Sequence, residues 1–410
     1  MKFTSLTLSN YRGFASLTLN LDRPLTVLAG VNGVGKTTLL EALVQLASVM
    51  LMRPLRTTGS ELDFPGDADI RIGEDRALLR VSATHEGESA TWEVECVRKR
   101  ELGISPGVFV WRSADTPAVL YFPATRTVAR GHGPFQPQEH DDERHPMYRD
   151  WLSGPRGGFA SFFRWFKERE DVENEQKVAR TDFSHEDPHL AAIRRAVASM
   201  LPGFTGLRVQ RDPLHLVVRK DATLLLLDQL SEGERDLLVM VADIARRLCL
   251  ANPTAPDPLA SEAVVLIDEV ELHLHPAWQR MVVGALQRTF PRCQFIVTTH
   301  SPQVLGEVPN DAVVLVKDFQ VWRPPAPTEG RDANAILWEV LGVTAHPAAV
   351  AAALDAIGDL IDGGRYGEAR ASLDGIAEKL TERDPEVLAL RSALDLTERL
   401  DAAAGKEPAA

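Results

Sequence analysis

The sequence predicts an α/β fold: a parallel sheet with helices on its faces, a short helical insertion and an α-helical C-terminal extension. Three observations predict it. Unbroken apolar runs at Leu25–Ala29 and Ala263–Ile267, with a third between Arg292 and Thr299, each give way to a cluster of polar residues. Runs of that kind are central parallel strands, buried on both faces. Two of the segments next to these runs, beginning at Thr38 and Asp236, read as helices, and from Ala348 to Leu400 the pattern is helical throughout.

Length and composition fit one large domain with additions. The chain has 410 residues, 25% charged and 44% hydrophobic, with a formal net charge of −13. That balance argues against a broadly basic nucleic-acid binder and leaves room for a local basic groove on an acidic body. Cys96, Cys249 and Cys293 are far apart, which suits a reducing compartment and implies no thiolate metal site. The N-terminal segment lacks the apolar core of a signal peptide. No apolar stretch approaches the ~20 residues that span a bilayer, so the expectation is a cytoplasmic protein without a membrane partner. Four segments are expected: an N-terminal lobe over 1–132, a helical arm over 133–204, a C-terminal lobe over 205–320, and a linker with helical tail over 321–410.

The first element carries the strongest signal. Gly30-Val31-Asn32-Gly33-Val34-Gly35-Lys36-Thr37 follows a buried strand and opens a helix at Thr38. This is the G-x-x-x-x-G-K-[ST] phosphate loop in its strand–loop–helix setting. Its glycines let successive N–H groups, from Asn32 to Thr38, face phosphate oxygens, and the new helix adds its positive end. Lys36 is expected to reach the β- and γ-phosphates, and the Thr37 hydroxyl to ligate Mg²⁺. A nucleoside triphosphate is therefore the expected ligand, with ATP and Mg²⁺ as the pair.

The next strand covers Ala118 to Arg126. The insertion follows, with a Gly/Pro/His-rich loop over Gly131–Pro146 that contains His132, His140 and His145. A metal site and a solvated loop are both open there. Two helical patches come next. Phe159 to Arg169 interleaves aromatic and basic residues and reads either as a nucleic-acid surface or as a small aromatic core. Leu190 to Leu201 reads as an amphipathic helix with Arg194 and Arg195 exposed.

Leu230-Ser231-Glu232-Gly233-Glu234-Arg235 then starts another helix, with a serine hydroxyl and a glycine N–H free to grip phosphate. The run Ala263–Ile267 ends in Asp268-Glu269. Asp268 is placed to hold Mg²⁺ and Glu269 to polarise an attacking water. The last buried strand ends in Thr299-His300-Ser301, where His300 stands beyond the strand end and is placed to touch a γ-phosphate and orient Glu269. Trp322-Arg323-Pro324-Pro325-Ala326-Pro327 reads as a stiff linker. Helices follow over Ala348–Ile361, Tyr366–Thr381 and Pro385–Leu400, at most one unit of a tetratricopeptide-type hairpin.

These motifs together resemble the ABC-type ATPases of the SMC, RecF and overcoming-lysogenisation-defect group, over about residues 1–316. Leu230 to Glu234 resembles the L-S-x-G-[EQ] signature, Asn10 to Phe14 the N-[FY]-R-x-F strand motif, and Asp268 to Pro276 the D-E-P-E-x-H-L-H-P block. The resemblance implies that Arg12 lies near the nucleotide, with Phe14 packed beneath it. It implies that Ser231, Gly233 and Glu234 contact ATP held by a second subunit. It implies a homodimer or higher even oligomer, with Glu271 and His273 as candidates for a loop crossing the interface. A metal reading of His273 with His275 is the alternative. The Gln that usually follows the middle strand is missing; Gln136 and Gln138 come later, and Arg126 resembles an arginine that recurs there.

The arm, the Gly330–Leu337 element and the tail resemble the ATPase subunit (PtuA type) of Septu anti-phage systems. That resemblance implies a separate HNH-type nuclease partner and DNA as the target. No acidic pair suited to a nuclease lies between Ser301 and Pro347, so the effector chemistry is expected in another polypeptide. The competing functions are an ATP-gated scaffold or RecF-like repair ATPase, and a transporter ATPase subunit.

Overall fold

The computed structural model describes residues 1–55, 63–85, 87–99, 103–105, 118–125, 154–343, 346–381 and 384–403. The chain divides into two compact units, Met1–Ala333 and Asn334–Ala410. The strands of the first unit are β1 (Lys2–Tyr11), β2 (Phe14–Asn20), β3 (Leu25–Ala29), β4 (Arg76–His85), β5 (Glu88–Val97), β6 (Gly103–Ser105), β7 (Val119–Phe122), β8 (Phe204–Arg211), β9 (Leu214–Lys220), β10 (Thr223–Leu226), β11 (Ala263–Ile267), β12 (Cys293–Thr299), β13 (Val313–Lys317) and β14 (Gln320–Trp322). Its helices are α1 (Lys36–Leu55), α2 (Gly154–Arg180), α3 (Pro188–Met200), α4 (Glu232–Ala251), α5 (Pro276–Thr289) and α6 (Pro302–Leu305).

The central sheet has the order β14-β13-β3-β12-β11-β7. Its first five chain-order members run parallel, and β14 folds back antiparallel at one edge. Every residue of β3, β11 and β12 is buried, which is why these strands read as continuous apolar runs. β12 lies between β3 and β11, so the segments after all three strands emerge side by side at one sheet end.

A second sheet, β2-β1-β4-β5-β6, is antiparallel, and a third has the order β10-β9-β8. Gln294 joins the first two sheets. It sits on β12 at 0% exposure, accepts from the Phe3 N–H at 2.7 Å, and donates to the Phe3, Leu21 and Arg23 carbonyls at 2.7–3.0 Å. A buried amide with its groups paired in this way fixes the two sheets against each other.

The hairpin of β13 and β14 turns through Asp318 and Phe319, both left-handed at φ 51° and 54°. Its Phe319 ring lies against Gly13, where an added β-carbon would collide with it, and stands edge-on to Phe14 with centroids 5.5 Å apart. Phe14 in turn would lie 2.8 Å from a β-carbon on Gly35. The phosphate loop thus rests on two rings, Phe14 and Phe319.

The arm is a hairpin of α2 and α3. Phe159, Phe162, Phe163 and Phe166 are buried, with paired rings at 6.1 and 5.6 Å, so the aromatic patch is a packed core and not an exposed stacking platform. Arg195 is exposed as expected, but Arg194 is not. Its guanidinium binds Glu170 and Glu173 of α2 and the Leu207 carbonyl of β8, because a cation at this site neutralises two buried carboxylates. The loop with His132, His140 and His145 lies outside the described residues, as do Arg126, Gln136 and Gln138.

The second unit begins within α7 (Ala333–Glu339) and continues as α8 (Ala348–Asp362), α9 (Tyr366–Leu380) and α10 (Pro385–Ala403). Leu354, Ile357, Ile361, Leu373, Val387 and Leu394 form its core. Its last three helices start where the sequence placed them. Trp322, expected to open the linker, instead closes β14, paired with Leu315. Among the described residues no helix is long and apolar enough to cross a membrane.

Candidate functional site

The site lies where β3, β11 and β12 end. After β3, Gly33 and Gly35 take left-handed conformations at φ 81° and 101°, which give the loop its curvature. Asn32, Gly33 and Thr37 are exposed, and Val34, Gly35 and Thr38 are half-buried. Lys36 is 7% exposed, and its Nζ donates at 2.8 Å to the carbonyls of Gly30 and Val31. Burial lowers its pKa, and the nearby carboxylates of Glu271, Asp268 and Glu269 oppose that shift.

Asp268, 3% exposed, is the centre of a hydroxyl cluster. Thr37 Oγ1 donates to its carboxylate at 2.9 Å, and Thr298 Oγ1 donates to its Oδ1 at 2.6 Å. The Thr298 oxygen also accepts from the Glu269 N–H at 2.7 Å. Glu269 itself is left-handed at φ 47°, a strained conformation for a residue with a β-carbon, held here by its neighbours. The hydroxyl of Thr37 and the carboxylate of Asp268 are hard oxygen donors within reach of each other, a set that fits Mg²⁺.

His300 follows β12 and is exposed. Its backbone N–H donates to Glu271 Oε1 at 2.7 Å, and its Nδ1 lies 3.1 Å from the same oxygen. Glu271 is 3% exposed. It is therefore an internal partner of His300, not the surface residue expected of an interface loop; the turn after Glu269 points it inward, with the Leu274 N–H bonded to the Glu271 carbonyl at 3.0 Å.

His273 is exposed, as an interface residue requires. Its Nδ1 is 3.3 Å from Asp236 Oδ2 and 3.8 Å from Glu232 Oε1. His275 caps α5, its Nδ1 accepting from the Ala277 N–H at 3.3 Å, and the groups gathered around His273 among the described residues are Glu232 and Asp236.

Ser231 caps α4 and is exposed. It forms a capping box with Glu234, whose carboxylate accepts from the Ser231 hydroxyl at 2.9 Å and from Lys220 at 2.5 Å. Burial raises the Glu234 pKa, but Lys220 and Ser231 outweigh it and hold the group below its ordinary value. Gly233 is buried, and a β-carbon there would collide with the His273 carbonyl. The glycine requirement of this motif thus has a cause within one subunit: α4 sits directly on the loop that follows Glu269.

Arg12 is left-handed at φ 48° and half-buried. It bonds to Glu41 of α1 and, at 2.7 Å, to Asp69, while the Tyr11 hydroxyl donates to Gln45 at 2.9 Å. Sequence reasoning missed Thr298, Glu41 and Asp69. A threonine inside an apolar strand, one residue before the polar switch, is the only signal that pointed to Thr298.

The chain shares 29% identity with a protein of Escherichia coli named "Retron Ec83 probable ATPase", over 85% of this chain and 77% of that one. It shares 22% with the "Septu protein PtuA" of Bacillus thuringiensis, over 81% of this chain and 82% of that one. Among solved structures, the SMC head bound to the C-terminal winged-helix domain of ScpA aligns with a TM-score of 0.47 at 13% identity, over 78% of this chain and 98% of that one. A family profile matches residues 25–306, which take in the phosphate loop, the α4 motif, Asp268-Glu269 and His300. That span is more than half of the chain, and the protein therefore belongs to the family described as "AAA domain, putative AbiEii toxin, Type IV TA system".

Proposed function

We propose that the protein is an ATP-hydrolysing switch that works as a dimer and acts on DNA through a separate effector. The observation that carries the reading is the Asp268 cluster: two hydroxyls on one buried carboxylate, beside the phosphate loop and directly preceding Glu269. On this reading Lys36 leaves its two loop carbonyls for the β- and γ-phosphate oxygens. Thr37 and Asp268 hold Mg²⁺, which supplies charge neutralisation on the phosphates. Glu269 orients and polarises the water that attacks the γ-phosphorus, and the bond to the β-bridging oxygen breaks to release ADP. His300 steadies the γ-phosphate. Ser231, exposed at the start of α4, is available to the ATP of a second subunit, and His273 lies on the neighbouring loop.

Similarity to a Septu protein supports a place in bacterial anti-phage defence, with an HNH-type nuclease as a separate polypeptide. The acidic body gives DNA no broad landing surface, so DNA is contacted locally or through the partner.

The test is Glu269→Gln. It keeps the binding groups and removes the base, so ATP stays bound and the dimer accumulates. Size-exclusion chromatography with ATP and Mg²⁺ should show a stable dimer and a turnover reduced by about 100-fold or more. A variant that stays monomeric with ATP bound would contradict the dimeric switch. Unchanged turnover would remove Glu269 from the reaction.

A further inference from the structure

We propose that Glu271 is a positioning residue that holds the His300 imidazole through Nδ1, leaving Nε2 for the γ-phosphate. The inference rests on the ATPase reading above. Its basis is one carboxylate oxygen with two contacts to the same residue: Glu271 Oε1 accepts from the His300 N–H at 2.7 Å and lies 3.1 Å from Nδ1. A carboxylate oxygen can only accept, so this close contact favours the ring form that carries a proton on Nδ1. The contact restrains the ring beside Glu271, and it is made through Nδ1 and not through Nε2.

Three further features separate this arrangement from an incidental contact. Glu271 is 3% exposed, and its other oxygen, Oε2, is buried with no hydrogen-bond partner. A half-satisfied buried carboxylate costs stability, so it is not there for the fold's benefit alone. Its charge is felt at Lys36 ahead of Asp268 and Glu269, which places it in the electrostatic field of the phosphate loop. The segment that carries it is rigid: the Val270 N–H bonds to the Thr298 carbonyl at 3.0 Å and the Leu272 N–H to the Glu269 carbonyl at 2.9 Å. His300 is 48% exposed, and an imidazole that open would sample several rotamers without such a partner.

The experiment compares steady-state ATP hydrolysis and binding of a fluorescent ATP analogue in the full-length protein. The variants are Glu271→Ala, Glu271→Gln, His300→Ala and the Glu271→Ala/His300→Ala pair. Glu271→Ala should lower kcat by about 10–100-fold, the usual loss when an orienting partner is removed. KM and analogue affinity should stay within about threefold, since the binding groups are untouched. Glu271→Gln keeps an acceptor for both contacts and should recover most of the rate. The double variant should be no slower than His300→Ala alone, because the two act as one unit. Multiplicative losses would overturn the proposal, as would a Gln variant as slow as His300→Ala; the Gln variant decides the matter if the Ala variant does not fold. Failure of the parent reading looks different: a wild-type turnover no higher than that of Lys36→Ala.

Discussion

At the scale of single residues, the chemistry depends on side chains that hold other side chains. Thr298 donates to Asp268 and receives from the Glu269 backbone, so one hydroxyl sets the position of both acids. Thr298→Val keeps the shape and removes the hydroxyl. ATP turnover should fall by about 10–100-fold while nucleotide remains bound, and Thr298→Ser should restore it. Turnover unaffected by the valine would end this assignment. The structure brings Lys36, Thr37, Asp268, Glu269 and His300 together, and the sequence grouped them from local signals: the glycine loop for the first two and the ends of apolar runs for the other three. Thr298 was not legible, nor was the inward placement of Glu271 against His300. One is a strand residue whose role comes from the register of β12 against β11. The other is turned inward by a backbone path that neighbouring residues do not announce.

At the scale of elements, the arm is anchored by charge as well as by aromatic packing. Glu173 is 1% exposed and binds Lys177 and Arg194, and its Oε2 also accepts from the Asp187 N–H at 2.9 Å. Burial pushes the Glu173 pKa up, but these three partners outweigh it and hold it below the ordinary 4.5. Asp187, paired with Arg169 and capping α3, is likewise held below 3.8 against the effect of burial. Depressed carboxylates add stability above their unfolded pKa and lose it as pH falls through the folded value. Protection factors of α2 and α3, corrected for the intrinsic pH dependence of amide exchange, should therefore hold from pH 7 to about pH 5 and fall below about pH 4. Glu173→Gln should show the lower protection already at pH 7, and equal protection of both proteins across that range would discount the network. The helices of the arm were legible from their periodicity. The antiparallel sheet of β1, β2, β4, β5 and β6 was not: β1–β2 and β4–β5 are hairpins, but what joins them into one sheet is the distant pairing of β1 with β4, as of Lys2 with Thr84. The same gap explains Arg194: its acidic partners lie on a different helix.

At the scale of the whole molecule, one chain carries a phosphate loop and an exposed Ser231, and the proposed dimer lets each subunit complete the other's site. Lys36→Ala and Ser231→Arg proteins should each be inactive alone. Mixed under conditions where subunits exchange, they should regain turnover, because each heterodimer contains one intact site. Absence of recovery with demonstrated exchange would make Ser231 a residue of its own subunit's fold. The tail helices were legible nearly to the residue, since short loops of Gly and Pro punctuate them at Gly363-Gly364 and Pro385. What the tail binds is a matter of surface, and periodicity reports only the buried side.

The contact between Phe319 and Gly13 leaves a mark that a population of sequences can record. A ring occupies the space that a β-carbon on residue 13 would need, and the hairpin that delivers the ring is held in two left-handed residues. The two positions are therefore coupled: a β-carbon at 13 requires the Phe319 ring to move. A lineage that acquires alanine at 13 must displace the ring or trade it for something smaller, and one that loses the ring removes part of the packing beside Gly35. Across related genomes, positions 13 and 319 should change hands together, as a coupled substitution between the first motif of the chain and the last hairpin of its sheet.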